Sequence, residues 1–182
     1  MKAFITSIGE ATTDLCEWSL KRNGFDVEVI YNETSSLAQK LEYIYTIADY
    51  DFVRVDADVI PNRKLTPETI SKNQLLYAVW YQFKCFDWFQ QDIIFGGIQL
   101  YKKAALTVLR QHIGEHLDDE RPETSMWRLK EFYEPRKCLS SDMVLGIHGY
   151  GQTDIGRIKQ TKVRRGQSDG YDWELAEKLS TL

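Results

Sequence analysis

The sequence predicts an α/β fold in a single domain, with a mainly parallel sheet flanked by helices. Over the first 60 positions, short apolar β-branched runs alternate with amphipathic stretches, giving a β-α-β-α-β order. Helices between strands force crossover connections, and crossovers make the joined strands parallel. The chain has 182 residues, 43% hydrophobic and 27% charged, which suits one packed core.

Ala3–Ser7 is apolar and ends at Gly9. It is read as a buried strand and not as a signal peptide, because no small-residue cleavage pattern follows MKAFITSIGE. Thr12, Thr13 and Asp14 offer cap oxygens for a helix over Leu15–Arg22, with Glu17 at capping-box spacing from Asp14. Asn23-Gly24 stops that helix. Phe25–Tyr31 alternates as a second strand. Ser35 or Ser36 then caps a helix with Leu37, Leu41, Ile44, Tyr45 and Ala48 on one face. Tyr50–Val55 is the third strand.

In the second half, Pro61 and Pro67 bracket a loop and a helix covers Pro67–Gln74. Leu75–Phe89 and Ile93–Leu100 read as strands, and Lys102–His112 as a helix. An acidic loop, Glu115–Glu123, precedes a helix over Thr124–Tyr133. Met143–Ile147 is a short strand, and Asp154–Arg165 is a basic helical tail. No repeat or low-complexity linker divides the chain.

Composition excludes several function classes. A net charge of −4 argues against a polybasic nucleic-acid coat. No run reaches the ~20 apolar residues of a transmembrane segment. The three cysteines, Cys16, Cys85 and Cys138, fit neither a disulfide framework nor a zinc site. They suit a reducing compartment, so a cytoplasmic location is expected.

Parallel sheets bind ligands outside the carboxyl ends of their strands. Those ends are Thr6–Glu10, Tyr31–Glu33 and Asp56–Asp58. Asp56-Ala57-Asp58 directly follows the buried strand DFVRV. Two hard carboxylates at one strand end suit Mg²⁺ or Mn²⁺ bridged to phosphate oxygens. The plainer alternative is a surface loop that happens to hold two acids.

The run YDFVRVDADVIPN resembles the aspartate (DXD) motif of GT-A fold glycosyltransferases, especially the family 2-like group. FITSIGEATTDLCEWSLKRNGFDVEVIYNE is similar to their first β-α-β unit, FGGIQLYKKAAL to their acceptor-side strand and helix, and LGIHGYGQ to a late segment carrying a metal-binding His. The resemblance implies a GT-A-like, Rossmann-type fold. It divides the chain into a nucleotide-binding half (1–60), an acceptor side (61–152) and a basic tail able to close as a lid (153–182). It also implies transfer of a sugar from a nucleotide-sugar donor, most simply a UDP-sugar, to an acceptor hydroxyl, with Mn²⁺ or Mg²⁺.

Carried over to this chain, Asp56 would hold the ribose or the metal, Asp58 the metal, and His148 the metal or a phosphate. Thr6, Ser7 and Glu10, with Tyr31 and Glu33, would line the nucleoside pocket. Lys40 could reach a phosphate, or be a solvated helix residue. Gly96 and Gly97 would let the main chain approach a sugar, which is compatible with a β-bulge. His148 has a structural alternative as a partly buried core histidine.

For the catalytic base the family carries an acid, often in a Glu-Asp pair, and this chain has no clean pair. DDERPETSMW is the nearest match, with Glu123 first and Asp119 and Glu120 as rivals. Inversion and retention both stay open. The tail holds Arg157, Lys159, Lys162, Arg164 and Arg165; Lys162 is a candidate for the diphosphate, and a solvated helix face is the alternative. The aromatic cluster Trp80, Tyr81, Phe86, Trp88 and Phe89 could stack an acceptor, or be core. A nucleic-acid acceptor is not favoured by the net charge, though the basic tail weakens that objection. The alternatives to a glycosyltransferase are a nucleotidyltransferase and a non-catalytic module that binds nucleotide sugars. The loop GEATTD, with no Lys or Arg, ranks the nucleotidyltransferase lower.

Overall fold

A computed structural model describes residues 1–73, 79–112, 138–164 and 171–180. The first half runs β1 (Lys2–Ser7), α1 (Thr13–Arg22), β2 (Asp26–Tyr31), α2 (Leu37–Ile47) and β3 (Phe52–Asp56). β1 lies between β2 and β3 and is parallel to both, in the register Thr6 beside Asp56 and Ser7 beside Tyr31. The crossovers expected from the alternating pattern are therefore present, and they bring three strand ends to one edge.

The second half adds β4 (Val59–Pro61), α3 (Pro67–Asn73), β5 (Trp80–Asp87), β6 (Asp92–Tyr101), α4 (Lys103–His112) and β7 (Cys138–His148). Two helices, α5 (Ile155–Arg164) and α6 (Trp173–Leu179), follow. All seven strands form one sheet in the order β2-β1-β3-β6-β5-β7-β4. β6 runs antiparallel to β3 and β5, and β4 antiparallel to β7, whereas β5 and β7 are parallel.

Helices cover both faces. On one, Cys16 and Leu20 of α1 join Ile5, Val53, Val55, Phe83 and Ile98 of the sheet in a core cluster. On the other, Leu41, Ile44 and Tyr45 of α2 and Leu106 and Leu109 of α4 pack on Phe4, Phe52, Trp80 and Tyr101. Trp80 and Tyr81 are thus core, as alternation along a strand favours. A third, smaller cluster joins Phe89 to Ile155 of α5 and Ala176 of α6.

Several local expectations change. α1 has Thr12 at its N-cap without a side-chain cap bond, and Asp14 sits inside the first turn, so no Asp14–Glu17 box forms. Thr12 instead donates its hydroxyl to the Ala57 carbonyl at 2.8 Å, tying the helix start to the aspartate loop. Ser36 does cap α2, with a full capping box to Gln39. The strand expected through Phe89 stops at Asp87, whose Oδ1 accepts the Phe89 and Gln90 amides and starts a turn. Of the expected Leu75–Phe89 strand, positions 75–78 lie outside the described residues, as does Gln74 of the expected Pro67–Gln74 helix. So do the acidic loop and the helix expected over Thr124–Tyr133.

β7 is eleven residues long, where only Met143–Ile147 was expected. β4 precedes the loop bracketed by Pro61 and Pro67 and is not predicted by the sequence pattern. It is an edge strand, a sheet position where a missing N–H is tolerated. α6 was not expected, although Asp172 caps it by accepting the Leu175 amide at 3.0 Å.

Gly96 and Gly97 sit where the β5–β6 register shifts between Gln82 and Lys84. Gly97 has φ +72°, and a Cβ there would lie 2.4 Å from Val59 Cγ2. Gly97→Ala is expected to cost about 1–3 kcal/mol through overpacking and backbone strain. Denaturant unfolding checks this, and an unchanged midpoint would contradict it.

Candidate functional site

The carboxyl ends of β1 and β3 open into a cavity of about 350 Å³ whose lining includes residues of α5. Thr6, Ile8, Glu10, Leu37 and Lys40 line one part, Asp56, Asp58, Phe89 and His148 another, and Arg157, Ile158, Lys162 and Tyr171 the facing wall. The cavity therefore brings two aspartates and a histidine together with Lys40, Arg157 and Lys162.

Each aspartate has its own surroundings. Asp56 Oδ1 accepts from the Thr6 hydroxyl at 3.0 Å and pairs with the Arg54 guanidinium. Arg54 is buried and is held in turn by Gln99 Oε1 at 2.9 Å, which also accepts from the Tyr101 hydroxyl. Asp58 faces His148, with Oδ2 3.3 Å from Nε2. Its other oxygen, Oδ1, is buried and has no hydrogen-bond partner among the described residues.

Strand pairing explains why His148 meets Asp58. β7 sets His148 beside Val59 of β4 and beside Asp87 of β5. The position next to Val59 is one residue from Asp58, and the Gly149 amide donates to the Asp58 carbonyl at 2.8 Å. Gly149 has φ +80°, and a Cβ would come within 3.0 Å of the Phe89 ring, so glycine is needed for the chain to turn here. Asp87 is fully buried, and its Oδ2 lies 2.8 Å from His148 Nδ1.

Burial opposes the charge on His148, but Asp58 and then Asp87 outweigh it, pushing its pKa up to about 10. Burial would raise Asp58 and Asp87; the imidazolium overcomes this, and both are held below the usual carboxylate range. A histidine whose folded pKa exceeds its unfolded value of ~6.5 stabilises the fold fully below that value. That contribution is lost as pH climbs from ~6.5 toward 10. Denaturant unfolding with a chelator present should therefore show stability falling across this window, and His148→Gln should flatten the fall. Parallel curves for the two proteins would contradict the assignment.

At the β1 end of the cavity, Glu10 Oε2 accepts from the Ser7 hydroxyl at 2.7 Å and the Ile8 amide at 2.8 Å. Ser7 is buried behind that loop and does not line the cavity. Lys40 is no solvated helix residue. It is 3% exposed and donates to the Ser7 carbonyl at 2.7 Å, with burial lowering its pKa. Tyr31 and Glu33 pair with each other on the exposed rim and are not cavity-lining. Gly97 lies near Asp56: a Cβ there would be 3.9 Å from Asp56 Oδ2, whereas Gly96 has open space around it.

Lys162 lies 5.2 Å from the centre of the Tyr171 ring. Glu123, Asp119 and Glu120, the candidate bases, lie outside the described residues. Sequence reading missed Arg54, Asp87, Gln152 and Tyr171. Gln152 donates to the Thr12 hydroxyl at 3.0 Å, and the Tyr171 hydroxyl lies 3.3 Å from Asp87 Oδ2. Asp87 carried a legible signal, an acid ending an otherwise apolar alternating strand; Tyr171, more than 80 residues away in sequence, carried none.

Among the described residues no group of three or more His, Cys, Asp or Glu side chains is arranged to hold a metal ion by itself. No helix among them is long and apolar enough to cross a membrane.

No family model matches the chain, and no curated protein does. Solved structures do. A glycosyltransferase involved in glycosylation of the major capsid of PBCV-1 matches with a TM-score of 0.55 at 14% identity, over 81% of this chain and 92% of that one. A Bacillus anthracis protein described as a glucose-1-phosphate thymidylyltransferase matches with a TM-score of 0.54 at 11% identity, over 93% and 96%. The 4-diphosphocytidyl-2C-methyl-D-erythritol synthase of Anaerococcus prevotii matches with a TM-score of 0.50 at 10% identity, over 90% and 97%. At these identities the likeness is one of fold: the chain has the GT-A-like, Rossmann-type α/β fold that these structures share.

Proposed function

We propose that the chain is a cation-dependent glycosyltransferase that uses a nucleotide sugar, with UDP as the nucleotide. The observation that carries this is the cavity itself, where Asp56 and Asp58 leave β3 beside His148 and face Arg157 and Lys162.

The nucleoside would lie at the β1 and β2 ends. Glu10 can accept from a base N–H with its second oxygen, and Tyr31 offers an exposed ring. Asp56 Oδ1 is already held by Thr6 and Arg54, so its charge is compensated. That favours Oδ2 as an acceptor for ribose hydroxyls over a role as the main metal ligand. Asp58 and His148 would hold the cation. The fit rests on the partnerless, buried Asp58 Oδ1 and on Oδ2 meeting Nε2. Mg²⁺ and Mn²⁺ take one or two protein ligands plus substrate phosphates, so a self-sufficient cage is not required. When bound, the cation supplies neutralisation of the charge that grows on the leaving diphosphate. Arg157 and Lys162 would face that charge from α5, with Tyr171 beside them shielding it from water. Glu123, with Asp119 and Glu120 as rivals, remains the proposed base for the acceptor hydroxyl.

Nucleotidyl transfer is the second reading, because a structure described as a thymidylyltransferase has nearly the same TM-score, 0.54. The loop between β1 and α1 offers a carboxylate, Glu10, and no cation to a triphosphate. Incubation with Mn²⁺ and a panel of nucleotide sugars should release the nucleoside diphosphate. Pyrophosphate formation from a nucleoside triphosphate and a sugar phosphate would favour the second reading instead. Binding without turnover on every substrate would reduce the chain to a non-catalytic module.

A further inference from the structure

We infer that Asp87 is a positioning residue that fixes the ring and tautomer of His148, so that Nε2 is presented to a divalent cation beside Asp58. This rests on the cation reading of the site. The Asp87 carboxylate is fully buried and fully engaged. Oδ1 accepts the Phe89 amide at 2.9 Å and the Gln90 amide at 2.8 Å, which locks the side chain against the turn after β5. Oδ2 is then left for His148 Nδ1 at 2.8 Å and the Tyr171 hydroxyl at 3.3 Å.

An ionised carboxylate only accepts, so Nδ1 must carry the proton. With Nδ1–H held by Asp87, a cation would displace the other imidazolium proton and take the lone pair of Nε2, the nitrogen that faces Asp58 Oδ2 at 3.3 Å. The parallel β5–β7 register sets Asp87 and His148 side by side, so the arrangement is built into the sheet and not into a mobile loop. Tyr171 extends it: the segment that carries α6 touches the same carboxylate oxygen. The wall facing the aspartates and the ring between them thus share one anchor. A buried carboxylate behind a metal-binding histidine typically governs 10–100-fold in metal affinity.

The test is Mn²⁺ affinity at pH 7, read from the spin-resonance signal of the free ion, for the unsubstituted protein, Asp87→Ala and Asp87→Asn. Asp87→Ala should bind about 10–100-fold more weakly. Asp87→Asn should lose affinity as well, because with its amide oxygen held by the Phe89 and Gln90 amides its NH2 group faces Nδ1 and favours the tautomer with the proton on Nε2. Equal affinities for all three would overturn the inference and leave the cation reading standing. Failure of the unsubstituted protein to bind Mn²⁺ both without and with UDP would overturn both. Should the variants not fold, nitrogen NMR of His148 in the unsubstituted protein loaded with Mg²⁺ decides. A proton on Nδ1 and none on Nε2 is expected, and a proton on Nε2 overturns the inference.

Discussion

Asp58→Ala is expected to abolish Mn²⁺-dependent UDP binding and to lower turnover by about 10²–10³. A metal stabilises a developing anion by several kcal/mol, and each 1.4 kcal/mol is tenfold in rate. The fold should survive, because Asp58 belongs to none of the core clusters and His148 keeps its bond to Asp87. Asp58→Asn separates charge from shape: it preserves the side-chain volume but offers no anionic ligand, so it should fail almost as badly. Calorimetric titration with UDP, with and without Mn²⁺, reads the effect. Unchanged affinity in a folded variant would show that the carboxylate is an ordinary strand-end acid.

The second large effect is expected from the basic wall. Lys162→Ala combined with Arg157→Ala should weaken UDP binding by about 10²–10⁴-fold, since each charge-assisted hydrogen bond contributes ~1.5–3 kcal/mol. Uridine binding should hardly change, because uridine has no phosphates. Point substitutions are the right instrument here. Removing the whole tail would strip Ile155 and Ala176 from Phe89 and expose that cluster, confusing lost packing with lost charge. Protection of the 153–182 segment from protease by UDP plus Mn²⁺ would add support for a lid. Equal weakening of UDP and uridine would contradict the diphosphate role.

The first half of the fold was legible because its signals are local. Alternation, the Ser36 cap and the Asn23-Gly24 stop each act within a few residues, and parallel strands follow from the helices between them. The Asp56-Ala57-Asp58 loop was legible for the same reason. What was not legible depends on pairing between distant strands. β4 looks like a loop until His148 lies beside Val59. Arg54 looks like a stray charge in a strand until Gln99 and Asp56 are seen to receive it. Lys40, on its helix, gave no sign that its ammonium reaches back to Ser7. The site is assembled by the sheet register, and register is a long-range property that a linear pattern does not carry.

A crystal soaked with UDP and Mn²⁺, with data collected at the manganese absorption edge, tests the central claim most directly. The account predicts an anomalous peak between Asp58 and His148 Nε2, with the diphosphate lying toward Lys162 and Arg157. A bound nucleotide whose phosphates lie away from Asp58, or whose manganese contacts neither Asp58 nor His148, would contradict it.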